Sequence, residues 1–216
     1  MDGKIIGVGF QKTGTSTLRE ALKILGYRVK DNTTRPLIPI LKGEYDKVLR
    51  MIRAYDAVED TPWYMIYKEL DERIPGSKFI LTVREKESWY RSVSRQIGTL
   101  RNANHEWIYG RGKGLPKDDK ANTIKVYTRH NNEVIKYFKD RPGDLLVMDI
   151  TKGESWKKLC SFLERDIPDK PFPVANKWLD KKKRQDYYGK KKNFRFYRKQ
   201  VRQYCKIKYI DWREYW

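Results

Sequence analysis

The stretch KIIGVGFQKTGTSTL, residues 4–18, constrains the fold more than any other part of the chain. Ile5 to Val8 form a short β-branched run bounded by glycine, the pattern of a strand buried on both faces of a parallel sheet. The chain then turns through Gly9 and Gly14, and Thr15, Ser16 and Thr17 open a helix. The apolar positions of that helix, Leu18, Ala21, Leu22 and Leu25, recur at helical spacing, and Gly26 stands where a left-handed C-cap belongs. A strand, a glycine loop and a helix N-terminus in succession aim unpaired backbone N–H groups and the positive end of a helix dipole at one point. That is a cradle for an anion such as phosphate.

The spacing inside the loop separates two kinds of phosphate site. A nucleoside triphosphatase loop reads GxxxxGK[ST], with its lysine directly after the second glycine and its hydroxyl on Mg²⁺. Here Thr15 follows Gly14, and the lysine is Lys12, two residues before that glycine. KTGTS, with a strand before it and a helix after it, resembles the 5′-phosphosulfate loop of the sulfotransferases, which take a sulfuryl group from 3′-phosphoadenosine 5′-phosphosulfate (PAPS). The resemblance implies that Gln11, Lys12, Thr13, Gly14, Thr15, Ser16 and Thr17 hold the donor. It also implies that Lys12 stabilises the departing phosphate, a role that elsewhere falls to Mg²⁺, so no metal is expected.

A second segment, KFILTVREKESWYRSV at 78–93, supports the same family. Phe79 to Val83 read as a strand, and Arg84 stands at its C-terminal end, where ligands collect in open α/β sheets. Trp89, Val93 and Ile97 share one stripe of the following helix, and Ser92 lies eight residues after Arg84. Taken alone, Arg84 reads equally as an ion-pair partner of Glu85 or Glu87. Beside a KTGTS loop, the Arg84–Ser92 spacing is similar to the family's 3′-phosphate-binding element, in which a guanidinium fork and a hydroxyl hold the phosphate.

Between the two motifs lies YDAVEDTPW, residues 55–63. Ala57 and Val58 suggest a short buried strand that Pro62 prevents from continuing. In cytosolic sulfotransferases a histidine, one residue and a proline stand here, and the histidine is the general base. This chain has Asp60, Thr61 and Pro62, and carboxylates serve as the base in other branches, so the resemblance implies that Asp60 is the base. The residues alone also allow Asp60 to cap the turn before Pro62. Glu59 is the neighbouring carboxylate, and strand alternation points it to the face opposite Asp60. His105 is the second candidate base, in a polar stretch at 101–106 before Gly110, Gly112 and Gly114, a composition expected of a mobile lid on the acceptor side. His130, mid-helix, reads as a brace for the core or a neighbouring loop.

The remaining elements alternate. Tyr27 to Lys30 and Leu145 to Met148 read as strands, a polar connection runs from Asp31 to Pro39, and helices are expected near 45–53, 123–138 and 156–163. In the second of these helices Ile124, Tyr127, Asn131, Val134 and Phe138 share a face. The expected fold is a P-loop-like three-layer α/β domain with a central, mostly parallel sheet flanked by helices on both faces. The KTGTS loop, the WYRSV helix, YxxHNxxVxxYF at 127–138 and LLVMDI ahead of PFPVAN together resemble a compact bacterial-type branch of the sulfotransferases, over residues 1–176. The tail, 177–216, holds fifteen Lys and Arg against four Asp and Glu with aromatics interleaved. Phe194, Tyr197, Val201 and Tyr204 follow helical spacing, so the tail is expected to pack on the same domain as a basic amphipathic helix. Family resemblance also assigns Lys190, Lys191 and Lys192, after Gly189, to the 3′-phosphate.

A net charge of +20 requires anionic partners, which a nucleotide donor satisfies. Two cysteines make no disulfide framework, and no apolar run of about 18 residues or charged leader stands out, so a cytoplasmic protein without a membrane span is expected. The reading is therefore a PAPS-dependent sulfotransferase releasing adenosine 3′,5′-bisphosphate. Its acceptor is a hydroxyl or amine, with sugars, lipids, phenols and peptide tyrosine all open. The alternatives are a P-loop kinase or nucleotide hydrolase, and a nucleic-acid-binding module built on the basic, aromatic tail. Nucleic acid is the less favoured partner because the tail's helical spacing already explains its aromatics.

Overall fold

A computed structural model describes residues 3–99 and 101–175, apart from 32 and 34. Five strands within this range, β1 (Ile5–Gly7), β2 (Val29–Lys30), β3 (Ala57–Val58), β4 (Lys78–Thr82) and β5 (Leu145–Met148), form one wholly parallel sheet in the order β2-β3-β1-β4-β5. The connections carry α1 (Thr15–Ile24), α2 (Leu37–Leu41), α3 (Tyr45–Ile52), α4 (Tyr67–Arg73), α5 (Lys86–Gln96), α6 (Ala103–Tyr109) and α7 (Lys120–Tyr137), and α8 (Trp156–Leu163) follows β5. The three-layer α/β fold read from the sequence is the fold observed.

Side-chain alternation along the strands sorts the core into two layers. Ile5, Ala57, Ile80, Leu146 and Met148 project to one face and meet Leu18, Ala21 and Leu22 of α1 and Trp156, Leu159 and Cys160 of α8. Ile6, Val58, Phe79 and Leu81 project to the other, against α2 to α7. The central strand β1 is flanked by β3 and β4, so the chain passes to opposite sides of it. In such sheets the crevice beyond the carboxyl ends of the strands at this reversal is where ligands bind. The loop after β1, Asp60 after β3 and Arg84 after β4 all leave the sheet at that edge.

Three sequence expectations are corrected. The Asp31–Pro39 connection contains the start of α2, whose Leu37, Ile40 and Leu41 are buried. Pro39 is tolerated because it sits in the first turn, where a backbone N–H has no helical partner to lose. In α7 the buried stripe is Thr123, Val126, Tyr127, His130 and Val134, rotated from the expected one, and Ile124 and Asn131 are only half-buried. Polar residues enter that face because they are satisfied there: Thr123 Oγ1 donates to the Pro116 carbonyl at 2.9 Å, and His130 Nε2 to that of Val8 at 2.8 Å. Finally, the polar stretch at 101–106, expected as a mobile lid, runs from residue 103 onwards into helix α6, every residue of which is buried. Asn102 caps it by accepting from the His105 N–H at 2.9 Å.

Candidate active site

The loop after β1 is held by alternate residues. From Gln11 to Thr17 the odd-numbered positions are buried, whereas Lys12, Gly14 and Ser16 are half-exposed. Thr13 Oγ1 donates to the Phe10 carbonyl at 2.6 Å and lies 2.6 Å from Thr82 Oγ1 of β4. Thr15 Oγ1 lies 3.4 Å from Asp60 Oδ2, and Thr17 Oγ1 accepts from the Ala175 N–H at 3.2 Å. The Gln11 side chain is engaged by Tyr64, whose hydroxyl donates to Oε1 at 2.5 Å, and its carbonyl accepts from Trp89 Nε1 at 2.9 Å. Of the seven expected donor contacts, the side chains of Gln11, Thr13, Thr15 and Thr17 therefore brace the loop. The face left towards solvent consists of Lys12, Gly14, Ser16 and the amides that open α1. The N-cap residue of that helix, Gly14, supplies no side-chain cap.

Two backbone conformations shape this face. Lys12 and Asp60 both have positive φ, 76° and 67°, uncommon for residues with a Cβ. Gly14 at φ 109° serves as the N-cap of α1, where a side chain would be strained and would crowd Ile150. The left-handed Asp60 ends the alternation of β3. Glu59 and Asp60 consequently do not point to opposite faces: both reach α1, one turn apart, Asp60 at Thr15 and Glu59 at Arg19, whose Nη1 lies 3.1 Å from Glu59 Oε1.

The Asp60 carboxylate also accepts from the Thr61 N–H at 2.6 Å and from Thr61 Oγ1 at 3.2 Å. Burial raises its pKa above the ordinary carboxylate value, and the Thr61 hydrogen bonds and the Arg19 charge oppose that shift only in part. Glu59 is completely buried, and Oε2 has no hydrogen-bond partner among the described residues. Loss of hydration lifts its pKa well above the usual range, the neighbouring Asp60 charge adds to this, and Arg19 opposes it.

On the β4 side, Arg84 is gripped from three directions. Its backbone is clasped by Tyr127 of α7, whose hydroxyl accepts from the Arg84 N–H at 3.0 Å and donates to the Arg84 carbonyl at 2.8 Å. Its guanidinium donates through Nε and Nη2 to Ser88 Oγ at 3.0 and 2.8 Å, and Nη1 lies 3.5 Å from the Lys12 carbonyl. The serine hydrogen-bonded to Arg84 is Ser88, and Ser92 is half-buried one turn further along the same face of α5. Sequence reasoning passed over Ser88. The i, i+4 spacing across the start of a helix, with Glu85 capping the Glu87 and Ser88 amides, was the available signal.

The two histidines separate. His130 is buried with its pKa lowered to about 4 by desolvation, so it stays neutral and braces the Val8 carbonyl. His105 lies on α6 with its ring 5.8 Å from that of Tyr109, and Tyr109 in turn packs 6.5 Å from Phe10 beside the loop. Burial raises the Tyr109 pKa, and the Asp60 charge raises it further, which places α6 within electrostatic reach of Asp60. Lys190, Lys191 and Lys192 lie outside the described residues.

A basic strand-end loop, a carboxylate across it and an arginine on the next strand thus share one edge of a parallel sheet. The model of the sulfotransferase domain family matches residues 4–180, and the chain belongs to that family. It is also similar to the "Ava biosynthesis cluster protein M" of Aspergillus versicolor, 28% identical over 209 aligned residues that cover 79% of each chain. No helix among the described residues is long and apolar enough to cross a membrane.

Proposed function

We propose that this sulfotransferase moves a sulfuryl group from PAPS to a hydroxyl or amine acceptor by in-line displacement. The observation that carries the proposal is the placement of Lys12 and the α1 N-terminus between Arg84 on one side and Asp60 on the other. Lys12, Gly14, Ser16 and the opening amides of α1 offer charge and N–H donors to the 5′-phosphosulfate. Arg84, with Ser88 and Ser92 along α5, offers a planar fork and hydroxyls to the 3′-phosphate. The donor is a substrate that supplies an activated sulfur.

In this reading Asp60 accepts the acceptor's proton as the new bond to sulfur forms. A free carboxylate is too weak a base to ionise a hydroxyl beforehand, and burial strengthens it. The bond from sulfur to the phosphate oxygen breaks, its electron pair stays on that oxygen, and Lys12 and the α1 amides hold the charge. Positioning and electrostatics supply the rate, as they do in phosphoryl transfer. A cytoplasmic setting, supported by a cysteine content that offers no disulfide framework, belongs to the same proposal.

The test compares thermal stabilisation by adenosine 3′,5′-bisphosphate, by ATP with Mg²⁺ and by a single-stranded oligonucleotide. It is followed by product mass analysis with PAPS and a panel of hydroxyl and amine acceptors. Selective stabilisation by the bisphosphate without metal, and an acceptor mass increased by one sulfuryl group, are expected. Stabilisation by ATP with Mg²⁺ alone, or by the oligonucleotide alone, overturns the proposal.

A further inference from the structure

Helix α5 touches the donor loop at successive turns of one face. Trp89 Nε1 holds the Gln11 carbonyl, and seven residues later Gln96 Oε1 accepts from Lys12 Nζ at 2.6 Å. Arg84, just before the helix, reaches the Lys12 carbonyl at 3.5 Å. Residues i, i+3 and i+7 lie along one helix face, so Trp89, Ser92 and Gln96 form a continuous edge beside the loop. That edge is fixed from behind: the Trp89 indole stacks on the Tyr127 ring at 4.0 Å and 11°, and Trp89 is completely buried.

We propose that Gln96 is a positioning residue that sets where the Lys12 ammonium stands, and that an amide is used here because it aims the charge without neutralising it. The proposal rests on the donor-site reading given above. An ammonium has three N–H donors, and the neutral amide oxygen of Gln96 directs one of them without adding a charge of its own. A carboxylate at the same place would bind Lys12 more tightly and cancel the charge that the departing phosphate needs. Gln96 is also the last residue of α5, where the helix dipole presents partial negative charge. A cation is favoured at that end by the dipole. The left-handed backbone of Lys12 makes such an anchor useful, because the lysine stem leaves the loop in a direction set by an uncommon φ.

Four variants test this: Gln96→Met, which keeps length and loses the acceptor oxygen, Gln96→Glu, Lys12→Ala, and Lys12→Ala combined with Gln96→Met. Gln96→Met should lower kcat about 10-fold and Gln96→Glu about 100-fold, the range expected when a catalytic group is misplaced or its charge is quenched. Bisphosphate affinity and melting temperature should stay near wild type in Gln96→Met. In the Lys12→Ala background the Met substitution should cost nothing more, because its effect passes through the lysine. The Gln96 proposal falls if Gln96→Met turns over normally while Lys12→Ala is impaired. It falls equally if the Met substitution costs the same factor with and without Lys12, or if Gln96→Glu matches or exceeds Gln96→Met. Normal turnover in Lys12→Ala removes the donor-site reading itself, and Gln96 with it.

Discussion

The donor loop and helix α6 lie on either side of Phe10 and treat their polar atoms in opposite ways. In the loop each buried side-chain oxygen, on Gln11, Thr13, Thr15 and Thr17, meets a partner on β4, the Asp60 turn, Tyr64 or the chain near Ala175. On α6, Asn104 Oδ1 and the Tyr109 hydroxyl are buried without a hydrogen-bond partner among the described residues. Burying an unpaired polar atom is costly and leaving a paired one in place is not, so the loop is preorganised whereas α6 holds unspent hydrogen-bonding capacity. On the proposed reading, the donor side of the site is built in advance and the acceptor side is completed by what binds there.

The sharpest way to break this contrast is to remove the carboxylate proposed as the base, Asp60, which meets the loop at Thr15. Asp60→Asn keeps the shape and should lower kcat by about 10² to 10⁴ while bisphosphate affinity hardly changes. His105→Ala, assayed beside it, should cost much less. The reverse order would move the base onto α6. Next in size is Arg84→Ala, which should weaken bisphosphate binding by about 10 to 100-fold in titration calorimetry, as expected for the loss of hydrogen bonds from a charged group. Unchanged affinity there would detach Arg84 from the donor.

A smaller effect concerns pH. The native state holds the Glu59 proton more tightly than the unfolded chain does, because the folded pKa lies well above the ordinary 4.5. The stability this provides is complete below the ordinary value and is lost as pH rises through the folded one. Glu59→Gln should therefore flatten the decline in melting temperature as pH rises above about 5, a decline that follows from one proton released on unfolding. An unchanged slope would show that Glu59 is already ionised in the native protein. The smallest expected effect tests the loop and α6 directly through two hydroxyl deletions. Tyr64→Phe breaks the bond to Gln11 and should cost about 1 kcal/mol in chemical denaturation, whereas Tyr109→Phe removes an oxygen with no partner among the described residues and should be neutral or slightly stabilising. Equal losses would erase the distinction.

How much of this was legible depends on sequence separation. The β1 strand, the glycine loop and α1 follow one another without interruption, so local pattern located them, as it did β5 at Leu145–Met148. The sequence ANHEWIY of α6 carries Asn, His and Glu, and only tertiary packing buries it. The Lys12–Gln96 contact joins residues 84 apart, and nothing in either segment announces the other. Glu59 was misplaced because alternation assumes a strand that continues, and Asp60 at φ 67° does not continue it. Ser88 was passed over because its bond to Arg84 depends on the geometry of the helix's first turn, which the family spacing of Arg84 and Ser92 does not carry.

The Tyr127 clasp on the Arg84 backbone has a further consequence. A strand usually ends where its last amide meets solvent or a turn, yet here one hydroxyl from a helix some forty residues away holds both the N–H and the C=O of a single residue. The Arg84 amide proton is thereby shielded by α7 rather than by the sheet. Its exchange with deuterium becomes a clock for the lifting of that helix, readable at one resonance, and any substitution that loosens α7 speeds it up before β4 itself opens.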